Sequence, residues 1–308
     1  MRETFSNTLL ELAQANEKVL LLSGDHGYGL FNSLREIKPN QFINMGVAEQ
    51  NMVGVAAGLS KVGFRPIVYG LSAFIPIRVL EQIKLDVCHD KLPVIFVGDG
   101  AGFVYSHLGT SHHSTEDISA TRAIPNLIIL SPGDRFELER CFRIAYNSSL
   151  PVYLRLGKAD RGDVHSQALK FELGDLITIK HSQGEKKVSL VATGSMLKMG
   201  DRLCKYFPDL GLISTPSLKP INKKQVTDLC NKHDALITLE EHSVLGGLGS
   251  ILSEIAVTLS NINVYSIGIQ DKFSEHCGSY EYLLKEHEVD FDSLRVLIKK
   301  YLSVNDFL

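Results

Sequence analysis

Residues 45–59 read Met-Gly-Val-Ala-Glu-Gln-Asn-Met-Val-Gly-Val-Ala-Ala-Gly-Leu, a run of small and apolar residues in which Glu49 carries the only charge. The spacing of the apolar positions predicts a helix over about 47–60. Glu49 then lies in the first turn, facing the positive end of the helix dipole. An isolated carboxylate is costly to bury, so an acid in such surroundings has either a specific partner or a raised pKa that keeps it protonated. Both outcomes suit chemistry, and simple stabilisation of the helix end is the structural alternative. Gly54, Ala57 and Gly58 leave one side of this helix nearly bare. Glycine inside a helix costs roughly 1 kcal/mol relative to alanine, so two of them imply a compensating close contact, within the monomer or between subunits.

Outward from this helix, short β-branched runs alternate with longer amphipathic segments, the pattern of parallel sheets wrapped by helices. A first series has an opening helix (about 2–15) and strands near 18–23, 65–69, 93–98, 126–130 and 151–155, with helices around 47–60, 76–89 and 134–147. A polar stretch from Lys158 to about Lys187, including Asp160, Arg161, Gly162, Asp163, His165 and Ser166, reads as a connection. A second series follows, with strands near 188–193, 210–214, 235–240 and 263–268. The expected fold class is α/β: two doubly wound domains, each with a mainly parallel sheet flanked by helices. Residues 1–160 form the first, 161–187 the linker and 188–308 the second.

The balance of 32 basic and 35 acidic residues in 308 offers no electrostatic footprint for nucleic acid or an anionic membrane. No apolar stretch approaches the roughly 20 residues a bilayer span needs, and the N-terminus lacks a signal-type apolar core. These features read as a soluble, cytoplasmic protein. Five cysteines, at 88, 141, 204, 230 and 277, are scattered without a Cys-x-x-Cys pair, so they read as reduced structural thiols rather than a disulfide framework or a zinc site.

Glu49 belongs to an ordered set of motifs. Leu-Leu-Ser-Gly-Asp (21–25) precedes Met-Gly-Val-Ala-Glu-Gln-Asn (45–51), then come Phe74, Arg78 and Glu81-Gln82. Ala-Gly (101–102), Gly-Thr-Ser-His (109–112), Glu-Asp-Ile (116–118), Arg122 and Pro125-Asn126 continue it. Ala-Thr-Gly-Ser (192–195), Ser-Leu-Lys-Pro-Ile (217–221) and Glu-Glu-His-Ser-Val-Leu-Gly-Gly-Leu-Gly-Ser (240–250) complete it. In this order and at these spacings the chain resembles, over nearly its whole length, the pyrimidine-binding and C-terminal domains of the transketolase family. That resemblance implies thiamine diphosphate bound across an interface, one domain holding diphosphate and Mg2+ and the other the aminopyrimidine ring.

By resemblance, Glu49 is the catalytic glutamate that hydrogen-bonds a ring nitrogen of the pyrimidine and relays a proton, and His112 is the histidine of the substrate loop. Phe74 matches the aromatic that stacks on the pyrimidine, although by itself an aromatic in Ser-Ala-Phe-Ile-Pro reads as core. Asp25 matches an acid close to the cofactor; on the residues alone it is a turn aspartate before Gly27 and Gly29. The loop Tyr105-Ser-His-Leu-Gly-Thr-Ser-His-His113 departs from its relatives, which read Gly-Glu-Asp-Gly-Pro-Thr-His there. Leu108 stands where the family aspartate contacts a sugar hydroxyl, and His107 stands at the family glutamate. The leucine removes two acceptor oxygens, so such a site binds that hydroxyl poorly or meets none; His107 and His113 are the groups expected to compensate. Lys158 occupies the position of the family's phosphate-gripping arginine, with Arg155 three residues earlier, and lysine holds phosphate as a point charge without arginine's fork. Three histidines in an irregular loop without a supporting cysteine or acid pair do not read as a metal site.

Two glycine motifs mimic phosphate sites. Gly98-Asp99-Gly100 with Asn126 satisfies the formal pattern of a magnesium-diphosphate motif, but its position before the histidine loop argues against that use. Gly246-Gly-Leu-Gly249, between a strand and a helix, has the form of a phosphate cradle; a tight strand-to-helix crossing is the preferred reading. The family's diphosphate domain has no counterpart among these motifs. The expectation is therefore the smaller subunit of a split enzyme, inactive alone and completed by an N-terminal diphosphate-binding transketolase subunit that supplies the Mg2+ ligands, as a heterotetramer. The implied reaction is transfer of a two-carbon ketol unit from a ketose to an aldehyde acceptor. A decarboxylating acyl transfer from a small 2-oxo substrate, like that of deoxyxylulose-phosphate synthases or the β subunit of 2-oxo acid dehydrogenases, is one alternative, and a non-catalytic assembly subunit is another.

Overall fold

The alternating apolar runs form two sheets in a computed structural model that describes residues 1–27, 29–158, 162–259, 262–305 and 307. The first half of the chain supplies β1 (Val19–Ser23), β2 (Phe42–Asn44), β3 (Arg65–Leu71), β4 (Ile95–Asp99), β5 (Ile128–Leu130) and β6 (Val152–Leu156). The second supplies β7 (Ile177–Lys180), β8 (Val188–Ala192), β9 (Gly211–Ser214), β10 (Ser217–Lys219), β11 (Ala235–Ser243) and β12 (Asn263–Ile269). The larger sheet runs β10-β5-β6-β4-β3-β1-β2 and the smaller β12-β11-β8-β9-β7. All pairings are parallel except the edge strands β10 on β5 and β7 on β9. The expected α/β class with two mainly parallel sheets is what the chain adopts.

Helices cover both faces of the larger sheet, so its inner strands are buried on both sides and read as continuous apolar runs rather than alternating ones. In β1, Leu21 joins Phe5, Leu9, Phe31, Tyr69 and Phe142 under the helices Arg2–Ala15 and Arg135–Asn147. Leu20 and Leu22 point the other way, into Met52, Val53 and Ala56 of the helix Glu49–Lys61. That second core continues into the smaller sheet through Val191, Ile213 and Leu236.

The opening helix and the helices near 47–60 and 134–147 appear as expected. The segment 76–89 is composite: a 3-10 turn Ile77–Val79, a short α stretch Leu80–Gln82 and a π-helical stretch Ile83–Cys88 that turns Ile83, Val87 and Cys88 inward. The stretch 161–187 is more than a linker. β7 lies within it, Phe171 packs on the first core, and the amides of Val164 and His165 donate to Asp134. Asp160, Arg161 and the boundary set between them fall outside the described residues. β10 comes from the second half of the sequence yet closes the first sheet, fastening the two units together.

Gly54 and Gly58 face outward, where an added Cβ meets nothing within 4 Å, while Ala57 is buried. Among the described residues, the contact that these glycines imply is therefore not made within the chain. Cys88, Cys141, Cys204 and Cys230 are buried free thiols and Cys277 is an exposed one. Among the described residues no helix is long and apolar enough to cross a membrane.

Candidate functional site

In an open parallel sheet, ligands bind outside the carboxyl ends of the strands where the strand order reverses. Here the chain leaves β1 toward β2 on one side and leaves β3 toward β4 on the other, so the reversal lies between β1 and β3. A cleft of about 200 Å³ opens there. Asp25 and His26 enter it from the end of β1, Leu71 and Phe74 from the end of β3, and Glu49 and Met52 from the helix that follows β2. Gly24 allows this convergence, because a Cβ there would lie 2.6 Å from the carbonyl oxygen of Gly46, on the segment leading to Glu49.

Glu49 is the first residue of its helix, and its side chain is only 15% exposed. Of the two outcomes open to a carboxylate in apolar surroundings, the structure supplies a partner: Arg78 Nη1 lies 3.4 Å from Glu49 Oε2. The Arg78 guanidinium sits over the Phe74 ring, 3.8 Å from its centroid. Phe74 also meets His112 edge-on, with ring centroids 5.2 Å apart. Glu49, Arg78, Phe74 and His112 thus form one contact chain, and Asp25 is exposed in the same cleft.

The other expected site residues divide. His107 and Leu108 are exposed in the 3-10 turn Ser106–Leu108. His113 does not join them: it is buried edge-on against Phe103, and burial lowers its pKa, so it is unable to compensate for Leu108 at the loop surface. Lys158 is half-buried, with Nζ 5.3 Å from the Tyr280 ring centroid, where the two units meet. Arg155 is a correction. It is fully buried, donating to Asp117 Oδ2 at 2.7 Å and to the carbonyls of Glu241 at 2.9 Å and Ser114 at 3.3 Å, so it reaches no substrate. No group of His, Cys, Asp or Glu among the described residues is arranged to hold a metal.

Around Arg155 lies a polar seam between the units. Asp117 also accepts from Tyr153 at 2.6 Å; burial pushes its pKa up, but the Arg155 charge outweighs this and holds it below the usual range. Glu241 accepts from the Phe103 amide, Ser195 and Tyr280. His242 accepts at Nε2 from the amides of Ile118 and Ser119 and donates from Nδ1 to the Ser243 carbonyl; burial lowers its pKa to about 4, so it is neutral. The Gly246–Gly249 cradle is filled from within, since the amides of Leu248 and Gly249 donate to Glu240 at 2.6 and 2.9 Å. Burial still raises the Glu240 pKa to about 7.

A second cluster borders the cleft and was not anticipated from the sequence. Asp99, at the end of β4 and 1% exposed, accepts from Arg2 Nε at 3.1 Å, His26 Nε2 at 2.8 Å and Tyr105 Oη at 3.1 Å, and forms an ion pair with Arg2 Nη2 at 2.7 Å. Burial pushes its pKa up, but the His26 bond and the Arg2 charge outweigh that and hold it low. Its carboxylate is thus occupied by protein groups. The available signal was an acid closing an apolar strand, the place where open parallel sheets build sites.

Comparison with known proteins matches the chain to one family. Residues 1–162 match the family model described as transketolase, pyrimidine binding domain, and residues 178–293 match transketolase, C-terminal domain. A 1-deoxy-D-xylulose-5-phosphate synthase of Caldanaerobacter subterraneus is 33% identical over 312 residues, covering 97% of this chain and 48% of its own length. The chain therefore spans about half the length of that relative. One subunit of an apulose-4-phosphate transketolase of Phocaeicola vulgatus is 31% identical over 288 residues, 91% of this chain and 90% of its own. A solved structure described as a split gene transketolase, inactive beta4 tetramer, superposes with a TM-score of 0.87 at 32% identity, covering 98% of this chain and 97% of that one.

Proposed function

The chain belongs to the transketolase family, and from that premise we propose that it is the pyrimidine-binding subunit of a split enzyme that transfers a two-carbon ketol unit from a ketose to an aldehyde acceptor. The observation that carries this reading is Glu49 at the strand-order reversal, held by Arg78 beside an accessible aromatic ring. The split arrangement is supported by likeness to one subunit of an apulose-4-phosphate transketolase and to a split gene transketolase, over 90% and 97% of their lengths. It is supported too by the outward glycines of the Glu49 helix, flanked by exposed Val47 and Val62. We assign that face to subunit contact within a heterotetramer.

The cleft fits the pyrimidine end of thiamine diphosphate. It offers a flat ring in Phe74, a carboxylate suited to a ring nitrogen in Glu49, and apolar wall from Met52 and Leu71. Its residues do not fit the diphosphate and Mg2+, which fall to the partner subunit. When bound, the cofactor supplies the carbanion chemistry that amino-acid side chains lack. Glu49 holds and moves a proton at the ring nitrogen, Arg78 orients that carboxylate, and Phe74 fixes the ring by stacking. His112 borders the reacting end, with His107 and Leu108 on the loop that meets substrate. Lys158, with Nζ 5.3 Å from the Tyr280 ring centroid, is the cation we assign to a substrate phosphate.

A second reading, decarboxylating acyl transfer from a 2-oxo acid, draws on the likeness to 1-deoxy-D-xylulose-5-phosphate synthase and on Leu108, which offers no acceptor for a sugar hydroxyl. The test is reconstitution with the diphosphate-binding subunit. Ketol transfer by the mixture and by neither chain alone supports the proposal, and carbon dioxide release from pyruvate decides for the second reading. Full activity of Glu49→Gln with weakened assembly would make the chain an assembly subunit.

A further inference from the structure

The Asp99 cluster has the form of an acid–base pair opening on the cleft. His26 presents Nε2 to Asp99 Oδ2 at 2.8 Å and lies 3.0 Å from Tyr105 Oη by the same nitrogen. Its ring stacks on Tyr69, with centroids 5.4 Å apart and planes 7° from parallel. The carboxylate is buried, whereas the His26 side chain is 27% exposed and lines the cleft with Asp25 and Glu49. An ionised carboxylate only accepts, so Nε2 carries the proton of the neutral ring and Nδ1 carries the lone pair. Among the described residues Nδ1 has no hydrogen-bond partner.

Arg2 makes the arrangement durable. It donates from Nε to Asp99 Oδ1 at 3.1 Å and from Nη2 to Tyr105 Oη at 2.8 Å, and Nη2 forms an ion pair with Asp99 Oδ2 at 2.7 Å. Its charge balances that of Asp99 and helps the buried acid stay ionised. The charged and titratable groups facing the ring are Asp99 from β4, Arg2 from the opening helix, Tyr105 from the following loop and Tyr69 from β3, with Asp25 and Glu49 in the cleft.

We propose that His26 is an acid–base residue of this site, oriented by Asp99, and that it acts on a hydroxyl or carbonyl oxygen of a small oxygenated substrate. Nδ1 accepts the hydroxyl proton as that oxygen becomes a carbonyl and the adjacent carbon–carbon bond breaks, the bond's electron pair remaining with the other fragment. In the reverse direction Nδ1–H returns the proton to the oxygen of the aldehyde acceptor as the new carbon–carbon bond forms. This rests on the proposed function, to which it adds a second proton carrier lining the same cleft as Glu49.

The test has two parts. In the full chain, nitrogen-15 NMR of the imidazole should report Nε2–H in wild type and a loss of that tautomer preference in Asp99→Asn; an Nδ1–H ring in wild type overturns the proposal without reference to turnover. In the complex with the diphosphate-binding subunit, His26→Gln and His26→Asn should lower kcat/KM by about 10²- to 10³-fold and remove one limb of its pH profile. The thermal midpoint should stay within about 2 °C of wild type. Unchanged kcat/KM with both limbs intact overturns the proposal. Glu49→Gln assayed in parallel separates the two ideas: an inactive Glu49→Gln with an active His26→Gln refutes only the His26 role, whereas an active Glu49→Gln refutes the functional reading.

Discussion

The cleft between β1 and β3 and the seam around Arg155 are built from the same materials, acids, arginines and histidines on the carboxyl side of parallel strands, yet they do opposite things. In the seam Arg155 and Asp117 are 2% and 0% exposed, and the guanidinium is spread over a carboxylate and two carbonyls. In the cleft Glu49 has one long contact at 3.4 Å from an arginine that is itself 47% exposed. A charge buried among partners from its own chain is architecture. One held in place by a single long contact is available to a ligand. The two sites also differ in their arginines, since Arg78 is poised over a ring and Arg155 is buried.

The comparison breaks most decisively at Glu49. Replacing it with Gln in the reconstituted complex should lower kcat by about 10³-fold or more, equivalent to at least about 4 kcal/mol of transition-state stabilisation. The thermal midpoint should stay within about 2 °C, because the carboxylate contributes one weak contact to the fold; an equal loss of stability would move Glu49 into the seam's class. The seam should show the reverse profile. Arg155→Met leaves Asp117 buried and unpaired, and removing one partner of a buried pair costs about 3–5 kcal/mol. Urea denaturation measures this directly, and a change below about 1 kcal/mol would mean that Asp117 is neutral or hydrated.

Much of the fold was legible because doubly covered strands are plain in sequence: Val-Leu-Leu-Leu-Ser and Ile-Phe-Val-Gly-Asp leave little doubt about β1 and β4. The strands that escaped notice, β2, β7 and β10, have three or four residues, too few to show a period of two, and two of them are antiparallel edges added from distant sequence. At the site, Glu49 stood out through contrast with its apolar neighbours. His26, Asp99 and Arg2 did not, because their meaning is a contact among residues 73 or more positions apart. Arg155 misled for the same reason: three residues before a candidate phosphate ligand, it points into the seam along a strand buried on both faces. Period and composition report burial, whereas saturation of a polar group depends on partners that only the fold brings together.

Two smaller effects sharpen the contrast at its margins. Phe74→Ala removes the platform for Arg78 and the flank against His112, and aromatic contacts add roughly 0.5–1.5 kcal/mol beyond area burial. The expected result is a thiamine diphosphate Kd raised about tenfold in the complex, measured by titration calorimetry, with little change in stability.

The weakest effect lies in the stretch 161–187. His165 donates from Nδ1 to Asp134 Oδ2 at 2.9 Å, and Asp134 also caps the helix Arg135–Asn147 through the amides of Phe136 and Glu137. Burial lowers the His165 pKa, but the Asp134 bond and the Glu137 charge outweigh it and raise the net value. Asp134 is opposed by burial and drawn down by His165 to about 2. A raised histidine stabilises the fold below its unfolded pKa of about 6.5, and this contribution fades as pH rises through the folded value; a lowered aspartate stabilises above about 3.9 and fades as pH falls toward its folded value. The pair is therefore strongest between about pH 4 and 6.5. His165→Gln should cost about 1 kcal/mol at pH 5.5 and measurably less at pH 8.5 by urea denaturation. A pH-independent cost would mean that this stretch is held by its apolar contacts, such as Phe171 on the first core, rather than by the ion pair.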